Sequence, residues 1–267
     1  MRRFSADYLE RTREGMWADS REALADLALD SRSRILDVGC GTGELTRVLA
    51  ADSSAEVVGC DADRELLAVA SDHVPTVAGD ALRLPVRDDG VDLVVCQALL
   101  INLPDPAAAL REFTRVSSDL VAAIEPNNAE VRVDSTVSAE VDLESRVREA
   151  YLQGVETDVA LGDRVEALFE QRGIEVVSTR RYEHEKRTEP PYSEAALTDA
   201  ARKASGAGLA DHETELRRGM AGRASTYDDL RREWREMGRT VVEKIQTGDY
   251  ERVETVPFDV TVGRVGK

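Results

Sequence analysis

The sequence predicts an α/β fold: a doubly wound sheet of seven strands, parallel except for an antiparallel last strand, with an additional helical cover. Two observations predict it. Short apolar segments alternate with helical segments through the first half of the chain, a pattern typical of parallel sheets with helices on both faces. The chain has 267 residues, enough to bury a core of this size without disulfide bonds.

Five strands are predicted before residue 127, and helical segments connect them. The strands are Arg34–Val38, Glu56–Cys60, Thr76–Ala78, Val91–Cys96 and Leu120–Ile124. The connecting helices are Glu44–Ala50, Asp63–Ala70 and Ala107–Val116, and residues 5–30 are expected to be helical as well. Asp63 is a suitable N-cap for the helix that follows it.

Beyond Pro126 the pattern becomes mainly helical. Helices are predicted at 138–153 and 163–172, a sixth strand begins at Ile174, and a seventh covers Val256–Val262. About seventy residues separate these two strands, which is long for one connection. They contain a predicted helix from about Thr226 to Ile245. Its apolar stripe favours core or lid packing.

The charge balance argues against nucleic-acid and membrane partners. The chain has 52 acidic and 35 basic residues, a net charge of -17, and only four of the basic residues are lysines. Such a surface repels phosphate groups, and this composition also resembles that of proteins from halophilic archaea. No apolar run reaches the ~18 residues that cross a bilayer. Met1–Ser5 leads into charged residues, unlike a secretory signal.

Three cysteines, Cys40, Cys60 and Cys96, each follow or end a predicted strand. Their odd number and their spacing argue against a disulfide framework and against a zinc site, so no metal is predicted. They are expected to be small buried residues in a reducing cytoplasm.

The strongest functional signal is the segment LDVGCGTGE, residues 36–44, directly after the first strand. Its three glycines allow a tight turn and a close approach of backbone N–H groups to a ligand. The spacing is GxGxG, not the GxGxxG of dinucleotide sites. Asp37 and Glu44 flank the loop, and their carboxylates would repel a pyrophosphate. They would attract cationic groups such as the ammonium and sulfonium of S-adenosylmethionine.

Two further acids follow the second and third predicted strands. Asp61 stands where an acid can accept hydrogen bonds from both hydroxyls of a ribose. Asp80 can accept from an adenine amino group while the N–H of Ala81 reaches the ring. An Asx turn is the alternative for Asp80.

With these motifs in this order, residues 34–126 resemble the class I S-adenosylmethionine-dependent methyltransferases, in the small-molecule branch related to ubiquinone-biosynthesis enzymes. The segments RILDVGCGTGELTRVLA, VVGCDADRELLAVA, GDALRLPVRDDGVDLVV and LPDPAAALREFTRV carry the resemblance. It implies a Rossmann-like fold and S-adenosylmethionine as the cofactor. The implied cofactor-binding residues are Asp37, Gly39, Cys40, Gly41 and Gly43 for the methionine part, Asp61 and Ala62 for the ribose, Asp80 and Ala81 for the adenine, and Gln97 near the methionine or the transferred methyl group.

The chain departs from this family on the substrate side. Ile101-Asn102 stands where many relatives have a His pair, and a long insert separates the last two strands. The predicted organisation is an N-terminal helical cover at 1–30, a cofactor-binding core at 31–126, a helical substrate-side segment at 127–172, and the last two strands at 173–267 with a helical insert at about 190–247.

No catalytic base is predicted, because a sulfonium is an activated methyl donor and in-line positioning of an acceptor can supply much of the rate. The candidate acceptor contacts are Tyr8, Trp17, Asn102, Glu125 and Asn127. Core packing is the alternative for Tyr8, Met16 and Trp17, and a strand-end or helix-capping role is the alternative for Glu125. The histidines His73, His184 and His212 are isolated and receive no catalytic role.

The predicted function is therefore methyl transfer to an O, N or C atom of a small molecule in the cytoplasm. RNA or protein methylation is an alternative, but Gln97-Ala98-Leu99-Leu100 replaces the (N/D)PP(Y/F) motif of nucleic-acid amine methylation, and no basic stripe alternates with aromatics. A catalytically silent cofactor-binding scaffold or sensor would not need the intact loop and acids. An NAD-linked dehydrogenase is disfavoured by the loop spacing and by Asp37.

Overall fold

The computed structural model describes Ala6, Leu9, Met16, Trp17 and residues 20–266. These residues form two compact units. The first unit contains the described residues up to Asn127, together with Leu161–Tyr182 and the residues from Phe258 onward. The second unit contains Asn128–Ala160 and Glu183–Pro257.

Strands and helices are numbered here in chain order. The strands are β1 (Arg34–Val38), β2 (Glu56–Asp61), β3 (Thr76–Ala78), β4 (Val91–Gln97), β5 (Ser117–Pro126), β6 (Arg132–Ser135), β7 (Ile174–Thr188) and β8 (Arg252–Val265). The α-helices of residues 20–266 are α1 (Glu44–Ala51), α2 (Arg64–Ala70), α3 (Pro106–Val116), α4 (Ser138–Gly154), α5 (Val165–Gln171), α6 (Glu194–Ser205), α7 (Ala207–Ala210), α8 (Glu213–Gly219) and α9 (Tyr227–Thr247). Short 3₁₀ helices cover Arg21–Leu27, Leu29–Ser31, Leu100–Asn102 and Gly162–Arg164.

The first unit is built on a parallel sheet with the strand order β3-β2-β1-β4-β5. The C-terminal part of β8 pairs antiparallel with β5, and β7 also pairs with β8. The predicted α/β fold with an antiparallel last strand is confirmed, as are the five strands predicted before residue 127. Because the carboxyl ends of β1 to β5 lie at one edge of the sheet, the segments that follow them are brought together there.

Local sequence accounts for where the helices of this unit begin. Asp63 is the N-cap of α2, as predicted, and accepts hydrogen bonds from the backbone N–H groups of Glu65 and Leu66. Asp105 caps α3 in the same way, and Pro106 occupies its first turn. The strand β4 is buried from Leu93 to Gln97, consistent with a strand covered on both faces.

The described C-terminal part of the segment predicted to be helical, residues 5–30, forms two 3₁₀ helices in place of one α-helix. Ala6 and Leu9 are helical, but Arg21–Leu27 and Leu29–Ser31 are 3₁₀ helices. Ala28 separates them in a left-handed conformation, with φ +51°, which interrupts any continuous helix. The apolar side chains still face the core, since Leu24 and Leu27 are buried.

The second unit contains more structure than the sequence predicts. It includes β6, which pairs antiparallel with the N-terminal part of β8, and the helices α6, α7 and α8, none of which was predicted individually. The predicted helices at 138–153 and from Thr226 are confirmed as α4 and α9. Thr226 caps α9 in a capping box with Asp229. The apolar stripe of α9 is buried, so its predicted core packing is confirmed; its members are Leu230, Trp234, Met237 and Val241. No helix among the described residues is both long and apolar enough to cross a lipid bilayer.

A buried group of charges joins three elements of the second unit. The carboxylate of Glu140 on α4 is fully buried and accepts hydrogen bonds from Lys203 on α6 and from the hydroxyl of Tyr250, the latter at 3.0 Å. Glu144 contacts Lys203 Nζ at 3.1 Å and Arg252 on β8 at 3.2 Å. Burial alone would raise the pKa of Glu140, but the neighbouring cations and hydrogen bonds outweigh it and lower this pKa. The four charged residues and Tyr250 are called the ionic cluster below.

Glycines allow α4 and α8 to pack backbone against backbone. A Cβ atom added at Gly219 on α8 would lie 1.8 Å from the carbonyl oxygen of Ala150 on α4. A Cβ atom added at Gly154 on α4 would lie 1.8 Å from the carbonyl oxygen of Glu215 on α8. Any side chain at either position would therefore force the two helices apart.

Gly219→Ala should lower the free energy of unfolding by about 1–3 kcal/mol, the usual cost of overpacking, although alanine is the better helix former. Urea denaturation followed by circular dichroism measures this change. Gly208→Ala on α7 is the matched control, because nothing lies within 4 Å of its added Cβ. That variant should be neutral or slightly stabilising. Equal stability of the two variants would contradict the close helix contact.

Candidate active site

The glycine loop between β1 and α1 is attached to the end of β2 by its own backbone. The N–H groups of Gly39 and Cys40 both donate to the carbonyl oxygen of Cys60, at 2.7 and 3.1 Å. Gly39, Gly41 and Gly43 all have positive φ, between +56° and +83°, which glycine adopts without strain. A Cβ atom at Gly39 would also lie 2.8 Å from the side chain of Leu99. The loop therefore requires glycine for its backbone conformation and for its packing.

Asp61 holds this loop from the end of β2. Its Oδ2 accepts the N–H of Gly41 at 2.9 Å, and its Oδ1 accepts the N–H of Asp63 at 2.8 Å. The residue is half-buried. Each carboxylate oxygen can accept a second hydrogen bond, so both oxygens can still bind hydroxyl groups of a ligand.

Asp37 is buried beneath the loop, at the end of β1. Its Oδ2 accepts the hydroxyl proton of Thr46 on α1 at 2.6 Å, so it also links the strand to the helix. Glu44, the other acid that flanks the loop, forms a salt bridge with Arg47 one turn along α1. The arginine offsets the charge of Glu44, and Asp37 is thus the stronger source of negative charge in the loop.

Asp80 follows β3 and is exposed. Its Oδ1 accepts the N–H of Leu82 at 2.9 Å, which is the Asx turn expected as the alternative to a binding role. The bond engages one oxygen and leaves the exposed carboxylate able to accept further hydrogen bonds. Ala81 beside it is buried, and Ala62, after Asp61, is exposed.

Three carboxylates converge around the end of β2. Burial, followed by the charges of Asp61, Asp37 and Asp80, raises the pKa of the Cys60 thiol to about 12. The pKa of the Cys40 thiol is also raised, by burial and then by Asp37 and Asp61. The described cysteines are free and buried, in agreement with their prediction as small buried residues. The edge of the sheet beside β1, β2 and β3 is thus strongly negative and favours a cationic ligand.

Side chains from the N-terminal segment lie against the end of β4. The indole N–H of Trp17 donates to Oε1 of Gln97 at 3.3 Å, and Nε2 of Gln97 donates to the sulfur of Met16 at 2.7 Å. The ring of Trp17 also contacts the ring of Tyr182, with centroids 5.5 Å apart. Met16, Trp17 and Gln97 are all buried. Trp17 therefore combines core packing with direct contact to a predicted cofactor residue.

Glu125, near the end of β5, fixes the turn that follows β4. Its fully buried carboxylate accepts the backbone N–H groups of Leu99, Leu100 and Ile101 at 3.0, 2.8 and 3.3 Å. Burial raises its pKa to about 7, while these backbone hydrogen bonds oppose the shift. The geometry matches the capping role that the sequence left open for this residue.

The turn held by Glu125 carries Asn102, which is buried. Its Nδ2 donates to the carbonyl oxygen of Ala98 at 2.8 Å. Its Oδ1 is buried without a hydrogen-bond partner. An unsatisfied buried acceptor is costly unless a water or a ligand supplies a donor. Asn127, just beyond β5, is buried as well.

The comparisons with known proteins agree with this geometry. A family model described as a methyltransferase domain matches residues 36–119, which contain the glycine loop, Asp61, Asp80 and Asn102. This part of the chain is similar to class I S-adenosylmethionine-dependent methyltransferases. The match does not extend to Trp17, Glu125 or Asn127.

Two relatives called demethylmenaquinone methyltransferase illustrate how far the likeness extends. The protein of Lactiplantibacillus plantarum is 37% identical over 107 residues, covering 36% of this chain and 45% of the relative. The protein of Lysinibacillus sphaericus is 28% identical over 182 residues, covering 60% of this chain and 78% of the relative. The alignment to the first thus spans less than half of that relative's length. Its likeness covers little beyond the methyltransferase domain.

Two solved structures share the fold. An S-adenosylmethionine-dependent methyltransferase from Aquifex aeolicus has a TM-score of 0.51 and 18% identity, covering 66% of this chain and 92% of that one. The YcgJ protein of Bacillus subtilis has a TM-score of 0.54 and 16% identity, covering 92% of this chain and 99% of that one. At these identities the likeness supports the fold alone.

The structure brings most predicted site residues of the methyltransferase domain to one edge of its sheet. Asp37, the glycine loop, Asp61 and Asp80 follow β1, β2 and β3, and Gln97 ends β4. Tyr8 lies outside the described residues. Two contacting residues were not predicted. Thr46 bonds Asp37 from the following helix, and Tyr182 contacts Trp17, from which it is distant in sequence.

The raised pKa of Glu125 predicts a pH-dependent contribution to stability. The folded protein holds a proton on this carboxyl that the unfolded chain releases above about pH 4.5, so stability from this group falls as the pH rises towards 7. Between about pH 4.5 and 7, the unfolding free energy of wild type minus that of Glu125→Gln should therefore fall, by at most about 1.4 kcal/mol per pH unit. Above pH 7 it should level off.

Urea denaturation at several pH values and constant ionic strength measures this difference. Glu112→Gln is the control, because a hydrogen bond from Arg115 lowers the pKa of Glu112. The difference in unfolding free energy between Glu112→Gln and wild type should stay constant between pH 5 and 7. A flat difference for Glu125→Gln would show that its carboxyl titrates normally.

Proposed function

We propose that this chain transfers the methyl group of S-adenosylmethionine to a small-molecule acceptor in the cytoplasm. The convergence of Asp37, Asp61 and Asp80 around a glycine loop at one edge of the sheet carries the proposal. These carboxylates suit a ligand with an ammonium and a sulfonium, and they disfavour a pyrophosphate. The match of residues 36–119 to a methyltransferase domain supports the same cofactor.

The residues fit the parts of this cofactor in chain order. Asp61 keeps acceptor capacity on both oxygens for the two ribose hydroxyls. Asp80 is exposed and can accept from the adenine amino group, beside Ala81. Asp37 and the loop from Gly39 through Gly43 would hold the methionine part, with Gln97 nearby.

The bound cofactor supplies an activated methyl group, so the protein chiefly orients the acceptor and excludes water. Trp17 and Met16 enclose Gln97 and keep solvent from the end of β4. Glu125 holds the adjacent turn in one conformation through three backbone hydrogen bonds. We assign no general base.

Asn102 is the residue that we propose contacts the acceptor. Its Oδ1 is a buried acceptor without a partner, and it would bind an O–H or N–H group of the substrate. The relatives are named for demethylmenaquinone, so a quinone is one candidate acceptor. Because the more identical stretches cover mainly the methyltransferase domain, they support methyl transfer more strongly than they support that substrate.

Asp61→Asn should weaken S-adenosylmethionine binding by roughly 1–3 kcal/mol, because an amide replaces one charged acceptor of the ribose. Isothermal titration calorimetry measures the dissociation constant. Asp63→Asn is the matched control. Because asparagine is an equally good helix N-cap, the S-adenosylmethionine affinity of this variant should match wild type. Unchanged affinity in Asp61→Asn would remove the ribose assignment, and binding of NAD instead of S-adenosylmethionine would overturn the proposed function.

Asn102→Ala should keep S-adenosylmethionine affinity and lose methyl transfer. The measurement is transfer of tritium from methyl-labelled S-adenosylmethionine into a metabolite extract, a quinone fraction, an RNA pool and a protein pool. Label should enter a small-molecule fraction with the wild-type protein. Label in RNA or protein would reassign the substrate class. Full transfer by Asn102→Ala would exclude this residue from acceptor binding.

A further inference from the structure

The second unit contains a cavity of about 290 Å³ whose lining is rich in arginine. The described lining residues all belong to α9, and they are Asp228, Arg231, Arg232, Arg235 and Arg239. None of them takes part in the proposed cofactor or acceptor sites. Four cations and one acid line this cavity in a chain of net charge -17, so its local charge is opposite to that of the whole molecule.

Two of the five lining side chains already have a partner of opposite charge. Arg232 contacts Asp229 at 2.7 Å, and Asp228 accepts from Arg217 at 3.0 Å. Within the described part of the chain, the other three arginines have no carboxylate within salt-bridge distance. They therefore give the cavity three positive charges that have no salt-bridge partner.

The three arginines without carboxylate partners lie along one row of the helix. Arg231, Arg235 and Arg239 are four residues apart, so their side chains are neighbours and their like charges repel one another. The Nε–H of Arg231 is moreover buried without a hydrogen-bond acceptor. A buried donor with no acceptor destabilises the protein unless a ligand or water supplies one.

Gly206 makes room for these side chains at the end of α6. It has a φ of +72°, and a Cβ atom there would lie 3.2 Å from Nε of Arg231 and 3.0 Å from Cγ of Arg235. A side chain at this position would press on both arginines. The absence of one leaves their guanidinium groups space beside α6.

We propose that this cavity binds a small polyanion of phosphate chemistry, namely a diphosphate or a phosphate ester. Guanidinium groups bind phosphate oxygens through two parallel hydrogen bonds, and the anion would supply the acceptor that Arg231 Nε lacks. A di- or trivalent anion would balance these three positive charges. The cavity volume suits an anion of this size.

Isothermal titration calorimetry with inorganic pyrophosphate and with inorganic phosphate tests the proposal on the full chain. Ionic strength is held constant with sodium chloride, because added salt would by itself screen the repelling arginines. Saturable binding of pyrophosphate is expected, and inorganic phosphate should bind more weakly if the site takes a diphosphate. Comparable affinities would indicate that it takes a single phosphate group.

Arg235→Gln should weaken pyrophosphate binding at least tenfold. Lys244→Gln is the matched control, because it removes one positive charge from the same helix outside the cavity, and its affinity should stay within twofold of wild type. The absence of saturable binding, or an equal loss in both variants, would overturn the proposal. Self-association that depends on these arginines and is unaffected by pyrophosphate would assign them to a second copy of the chain instead.

Discussion

The hydrogen bond from the Gly41 N–H to the Asp61 carboxylate is the interaction on which the cofactor side depends. Without it, a loop of three glycines with left-handed backbone would have many alternative conformations. The carbonyl of Cys60 receives two more N–H groups of the same loop, so the end of β2 determines the path of the chain after β1. Asp61 therefore contributes negative charge to the site and also holds the conformation of the loop.

Glu125 has the corresponding role on the other side of the sheet edge. Three consecutive backbone N–H groups converge on one enclosed carboxylate, which holds the turn bearing Asn102. The Oδ1 of Asn102 in this turn is buried without a hydrogen-bond partner. Both halves of the edge follow one rule: an acid at a strand end fixes the backbone of the neighbouring connection.

The sequence predicted the first unit well because its signals are local. The strands β1 to β5 are short apolar runs, Asp63 follows β2 as a helix cap, and the glycine loop has a characteristic spacing. The second unit was harder to predict, because its strand β6 has the polar sequence RVDS and gives no apolar signal. Partners distant in sequence decide what such residues do: Glu140 is an ordinary helix acid until Lys203 and Tyr250 enclose it. The binding roles of the site residues remain predictions.

The ionic cluster of the second unit has a consequence for the range of solutions in which this fold persists. Dissolved ions weaken attraction between charges only where they can come between them, and Glu140 is closed off from solvent. Ion pairs on the surface lose strength as electrolyte is added, whereas the contacts around this carboxylate are weakened much less. The ionic cluster should accordingly persist in dilute buffer and in concentrated brine.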